Sequence, residues 1–176
     1  MARSPLDQPV LHWQIGAVGL GRALVAWSAQ GVCAVLLGDD DAAVLAELRQ
    51  GFPDRVLQHD ETPHPWVSAV QAELEGMRAK QAHAMSLPLD MGGTAFQQTV
   101  WAALRQIPSG QTVTYSELAQ QVGRPRAVRA VASACAANVL AVLIPCHRVV
   151  RRDGSPSGYR WGPARKQALL AREARS

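Results

Sequence analysis

TYSELAQQVGRPRAVRAVASACAA, residues Thr114 to Ala137, decides how the second half of the 176-residue chain is built. Thr114 with Glu117 three residues later has the capping-box pattern, in which a hydroxyl and a carboxylate satisfy backbone N–H groups at a helix start. Leu118, Ala119 and Val122 follow as apolar positions of a short helix, and Gly123 stands where a left-handed C′ residue would end it. After Arg124-Pro125, the run from Arg126 to Ala137 predicts a second helix of small residues interrupted by Arg126 and Arg129. Two short helices around a glycine-containing turn make a helix-turn-helix candidate, a pattern that ordinary helix pairs share. Ala130, Ala134 and Ala137 would let this helix come close to a partner, and packing inside the domain explains such residues equally well.

Upstream, Thr94 predicts the cap of a core helix carrying Phe96, Val100, Trp101 and Leu104, ended by Ile107-Pro108-Ser109-Gly110. The segment Ser86 to Gly93 reads as an extended stretch leading into a linker, so two domains are expected, residues 1–91 and 92–176. In the first, Leu11 to Ile15, Ala23 to Trp27 and Val32 to Leu37 read as three strands, separated by Gly19-Leu20-Gly21 and Gln30-Gly31. Asp39, Asp40 and Asp41 then open a helix over Ala42 to Leu48 that Pro53 would terminate, and another helix is predicted from about Trp66 to Arg78. The fold class is α+β. His12, His59, His64 and His83 fit no metal-ligand spacing and are assigned surface or structural roles.

A hydrophobic content of 48% with 18% charged residues is a globular balance and argues against disorder. No apolar run approaches the ~20 residues of a membrane span, and Met1 to Asp7 lacks the apolar core of a signal peptide, so a cytoplasmic protein is expected. Cys33, Cys135 and Cys146 form an odd set without paired spacing, which predicts reduced thiols rather than disulfides or a zinc site. Charge is divided unevenly: −5 up to Met91 and +9 from Gly92 onward, where every basic residue except Lys166 is arginine. A polyanion partner is the natural reading, with a solvated basic face as the alternative.

Chemistry concentrates where the hydrophobic run Leu140 to Ile144 enters Pro145-Cys146-His147-Arg148-Val149-Val150. Proline favours an extended residue ahead of it, and His147 with Arg148, Arg151 and Arg152 would favour a thiolate at Cys146. Neighbours in a strand point to opposite faces, so Cys146 and His147 need either a backbone turn or a relaying water.

These residues resemble the O6-alkylguanine-DNA alkyltransferases, which carry a Pro-Cys-His-Arg-Val core at their acceptor cysteine. The resemblance extends through Phe96-Gln97, Val100-Trp101, Tyr115, Gly123, Arg129-Ala130-Val131, Asn138, Gly158-Tyr159, Lys166 and Glu173 in order and spacing. Val32 to Asp41 is similar to the corresponding part of the carboxy-terminal domain of the bacterial adaptive-response (Ada) protein. The resemblance implies an N-terminal ribonuclease-H-like module joined to a winged-helix-like, mainly helical domain that binds DNA and catalyses.

By the same resemblance, Cys146 accepts the alkyl group, His147 acts through a water as its base, Glu173 orients the histidine and Asn138 braces the turn. Arg129 is the finger that fills the stack after the damaged nucleotide is rotated out, with Arg126 and Ala130 beside it on DNA. Tyr115 assists rotation and donates a proton to the departing guanine, while the backbone at Val149, with Tyr159 and Arg160, forms the guanine pocket. The implied activity is methylated-DNA–protein-cysteine S-methyltransferase: a single-turnover transfer from O6-alkylguanine, and from O4-alkylthymine, by a monomer acting on double-stranded DNA. It requires no cofactor. Val139 stands where many relatives have proline. The metal-cysteine region that makes the Ada protein a transcriptional activator has no counterpart in the sequence, so no such role is expected. Two other readings use the same residues: a helix-turn-helix regulator with an inert or redox-sensing Cys146, and a cysteine hydrolase, which needs a direct dyad and an oxyanion hole.

Overall fold

Gly19 and Leu20 turn β1 (Val10–Val18) into β2 (Gly21–Trp27), and Gly31 precedes β3 (Val32–Gly38) in the computed structural model, which describes residues 9–77, 86–155 and 158–175. The two hairpins pair antiparallel, with Ile15 opposite Leu24 and Val25 opposite Val35. β4 (Val56–His59) adds parallel to β1, giving the order β3-β2-β1-β4. The sequence reading did not contain β4. It is four residues long and mostly exposed, so it carries no burial pattern of its own.

α1 (Asp41–Gly51) is capped by Asp40, which accepts from the Ala43 N–H at 2.8 Å, and it packs on β2 and β3. α2 (Pro65–Leu74) is capped by His64, whose Nδ1 accepts from the Trp66 N–H at 3.2 Å. α2 stops short of the expected Arg78. Gly76, at φ +71°, donates to Glu73 O while Met77 donates to Ala72 O, a Schellman closure that ends the helix. Arg78 and His83 lie outside the described residues. His12 stacks on Trp27 and His59 on Trp13, so these histidines pack against the sheet's aromatic residues. Part of the expected linker is a strap: Val32 donates to Pro88 O and Asp90 to Val32 O, each at 2.9 Å. A Cβ at Gly31 would meet Pro88 O at 2.5 Å, which explains the glycine there.

The chain divides into two compact units, Met1–Met91 and Gly92–Ser176. In the second, complete capping boxes start α3 (Ala95–Leu104) at Thr94 and Gln97, and α4 (Tyr115–Gln121) at Thr114 and Glu117. Gly123, at φ +71°, closes α4 by the same Schellman pattern as Gly76. α5 (Val128–Ala136) begins two residues after Arg126, because Ala127 donates to Arg124 O and places Pro125-Arg126 at the corners of a β-turn. Trp101 Nε1 donates to Ala134 O at 2.8 Å and ties α3 to α5. A two-stranded parallel ladder joins β5 (Val113–Thr114) to β6 (Val149–Val150), and α6 (Pro163–Ala174) follows with proline in its first turn. Leu104, Leu118, Val131, Leu143, Ile144 and Leu169 form this unit's core. The fold is mixed α+β. No described helix is long and apolar enough to cross a membrane.

Candidate active site

The hydrophobic run Leu140 to Ile144 is a buried turn, with Ile144 donating to Leu140 O at 3.0 Å and Val142 held at φ +60°. A β-branched residue in the left-handed region is strained, so the turn must be held by its surroundings. Asn138 supplies that hold from a position 1% exposed. Its Oδ1 accepts from the Leu140 N–H at 2.8 Å, and its Nδ2 donates to Ile144 O at 2.9 Å and to Cys146 Sγ at 3.2 Å.

Cys146 to Arg148 form one turn of 3-10 helix, so the backbone turns here instead of running on as a strand. Proline constrains the residue before it, whereas the residues after it are free to coil, and Arg148 donates to Pro145 O at 3.0 Å. The turn carries His147 to Glu173 on α6, with Nε2 and Oε1 2.8 Å apart and the imidazole 1% exposed. With Nε2–H given to a carboxylate, Nδ1 is the basic nitrogen. It is buried without a protein partner among the described residues.

Arg148 does not act as a cation beside the thiol, contrary to the sequence reading. Its Nε donates to Glu173 Oε2 at 3.0 Å, its Nη2 to Oε1 at 2.8 Å and its Nη1 to Ile107 O at 2.6 Å. Arg151 and Arg152 are exposed. The cations whose fields reach Cys146 belong to Lys166 and Arg160. Lys166 is fully buried on α6 and donates to Val149 O at 2.6 Å. Sequence reasoning gave it no role, since a lysine on an amphipathic helix looks like part of a solvated face.

Burial pushes the Cys146 thiol above its ordinary value, and the Asn138 hydrogen bond with the Lys166 and Arg160 charges only partly offsets this. The resting group is therefore a thiol, which corrects the expected thiolate. Burial also lowers His147 against the pull of Glu173, keeping the imidazole neutral and able to accept a proton. Burial by itself would raise the Glu173 carboxyl, but hydrogen bonds from His147 and Arg148 outweigh it and hold the group at about 2. Cys135 and Cys33 are pushed up by burial to about 12 and about 11.

A pocket of about 330 Å³ opens at the thiol, with Tyr115, Cys135, Ala136, Cys146, Tyr159 and Arg160 in its walls. Arg160 Nη1 donates to Ala136 O at 3.1 Å, bridging the loop to the end of α5. Tyr159 sets its ring edge-on to His147. Val149 is buried in β6. Arg126, Arg129 and Ala130 are exposed on the turn and first residues of α5. Among the described residues, no cluster of His, Cys, Asp and Glu is arranged to hold a metal ion.

A buried thiol beside an imidazole that is held by a carboxylate is the arrangement of groups used by proteins that work through a nucleophilic cysteine. Residues 95–175 match the family model described as 6-O-methylguanine DNA methyltransferase, DNA binding domain. The inducible methylated-DNA–protein-cysteine methyltransferase of Bacillus subtilis is 35% identical, with 97% of this chain aligned to 94% of that protein. The bifunctional transcriptional activator/DNA repair enzyme Ada of Escherichia coli is 55% identical over 88% of this chain, which spans only 43% of the length of Ada. The crystal structure of Mycobacterium tuberculosis OGT in complex with DNA superposes with a TM-score of 0.66 at 28% identity, covering 94% of this chain and 93% of that one. The chain belongs to the methylated-DNA–protein-cysteine methyltransferase family.

Proposed function

We propose that this protein repairs DNA by direct reversal, moving the alkyl group from O6-alkylguanine, and from O4-alkylthymine, to Cys146. The His147–Glu173 pair next to Cys146 carries the reading, because it offers a base to a thiol that rests protonated. The thiol proton passes through a water to His147 Nδ1, and the sulfur attacks the alkyl carbon. The carbon–oxygen bond breaks toward guanine, which takes a proton from Tyr115. Nothing in this site reverses a thioether, so each molecule acts once.

In-line attack is not possible on a stacked base, so the nucleotide must leave the helix and enter the pocket. Arg129, exposed at the start of α5, takes its place in the stack, with Arg126 and Ala130 against the same duplex. Tyr115, Tyr159 and Arg160, in the walls of the pocket, receive the base together with the backbone at the buried Val149. The first unit is a ribonuclease-H-like module, and the second a winged-helix-like catalytic domain. The protein acts as a cytoplasmic monomer on double-stranded DNA and uses no cofactor.

The test is intact-mass measurement after mixing the protein with duplex DNA containing O6-methylguanine, followed by peptide mapping. One methyl group per protein, on Cys146 and absent from Cys146→Ala, is the expected outcome. An unchanged mass, or a methyl group on Cys135, overturns the assignment.

A further inference from the structure

Glu173 serves two side chains that are neighbours in sequence. Oε1 takes His147 Nε2 and Arg148 Nη2, each at 2.8 Å, while Oε2 takes Arg148 Nε at 3.0 Å. The arginine is also tied to a separate element, since Nη1 donates at 2.6 Å to Ile107 O in the turn after α3. All three side chains are withdrawn from water: His147 is 1%, Arg148 6% and Glu173 12% exposed. We infer that Arg148 is a positioning residue for alkyl transfer, holding Glu173 in a side-on fork so that His147 keeps its proton on Nε2 and its lone pair on Nδ1.

The physical need is one of charge balance. A buried carboxylate facing an imidazole alone draws a proton onto that imidazole, and a ring protonated on both nitrogens is no base. Arg148 neutralises Glu173 by permanent charge, so the pair is balanced with His147 neutral. The other groups facing the ring are the Cys146 thiol before it, Tyr159 edge-on from the following loop, and Lys166 on α6, and none of them neutralises Glu173. Lysine could not substitute: three contacts on two acceptors separated across the site need the planar guanidinium fork. Geometry reinforces the point, because the Ile107 anchor fixes the fork, the fork fixes the carboxylate, and the carboxylate fixes the ring.

This inference rests on the alkyl transfer proposed above, and its test reads the two separately. Single-turnover transfer from O6-methylguanine duplex is followed from pH 5.5 to 9.5 in the full chain and in Arg148→Met, with the His147 ring nitrogens observed by NMR in each. In Arg148→Met the imidazole holds its second proton to higher pH. Transfer then falls about tenfold at pH 6 and recovers toward the unsubstituted rate at pH 9. An equal loss at every pH with unshifted ring signals reduces Arg148 to a purely structural role and overturns the inference, as does an unchanged profile.

Should Arg148→Met fail to fold, the double variant Arg148→Met/Glu173→Gln removes both buried charges. It should transfer more slowly at all pH values with no displacement of the acid limb, and a displaced limb there overturns the charge argument. A full chain that transfers no alkyl group at any pH refutes the proposed activity, while its ring signals still report whether Arg148 controls the imidazole.

Discussion

Replacing Asn138 by alanine should remove the brace of the cysteine turn at a cost set by the groups it leaves behind. The Leu140 N–H, in a residue 2% exposed, loses its partner outright, whereas the equally buried Ile144 carbonyl loses Asn138 but keeps the Cys146 N–H at 2.8 Å. A buried backbone group left unpaired costs roughly 1–3 kcal/mol, so the one orphaned N–H with the lost second bond to Ile144 O puts Asn138→Ala at about 2 kcal/mol. The contact with Cys146 Sγ at 3.2 Å adds little to stability but offsets part of the upward push that burial gives the thiol. With a urea slope of about 2 kcal/mol per molar, the unfolding midpoint should fall by about 1 M. Asn138→Asp separates the contributions. It keeps the acceptor for Leu140 but turns an ionised oxygen toward Ile144 O and Sγ, so its deficit should shrink in acid as the new carboxyl becomes a donor. A loss below about 1 kcal/mol in Asn138→Ala would mean that the strained turn at Val142 is held by packing alone, and the bracing argument fails.

Stability should be greatest on a plateau between about pH 6.5 and 9. Glu173 and His147 are both held below their ordinary values of 4.5 and 6.5, so their contributions are present above those values and lost as pH falls. Cys146, Cys135 and Cys33 are raised above 9.0, so their contributions are present below that value and lost as pH climbs. Urea midpoints measured from pH 3 to 11 check this, and a midpoint still rising above pH 9 contradicts it. At Gly123, where an added Cβ meets nothing within 4 Å, alanine should cost about 1 kcal/mol through its left-handed backbone alone. Gly93→Ala should cost more, since its Cβ would come within 2.6 Å of the Trp101 ring, and calorimetry of the two variants orders them.

Elements with local signals were legible. The cap at Thr94, the capping box at Thr114 and the glycine stop at Gly123 lie within a few residues of what they control, and each operates in the structure, Thr94 in a full capping box with Gln97. β4 was not legible, because its only support is the β1 strand that precedes it by more than forty residues. The start of α5 shifted because a β-turn at Pro125 competed with the helix for Arg126. Arg148 was misjudged for a related reason. Adjacency to Cys146 made it look like a neighbour of the thiol, whereas the 3-10 turn aims it at Glu173.

What the sequence determined by itself was the identity of the candidate reacting groups, a cysteine and histidine side by side after a proline, and the caps that start and stop the helices around them. Tertiary structure decided their chemical state. Whether Cys146 rests as thiol or thiolate depends on how far it is taken from water and on Asn138, Lys166 and Arg160. The base at His147 likewise depends on a carboxylate and a guanidinium whose encounter no local pattern specifies. Helix caps and turns are settled by interactions a few residues long. Protonation is settled by desolvation and by charges brought together from distant parts of the chain, and only the folded core supplies both.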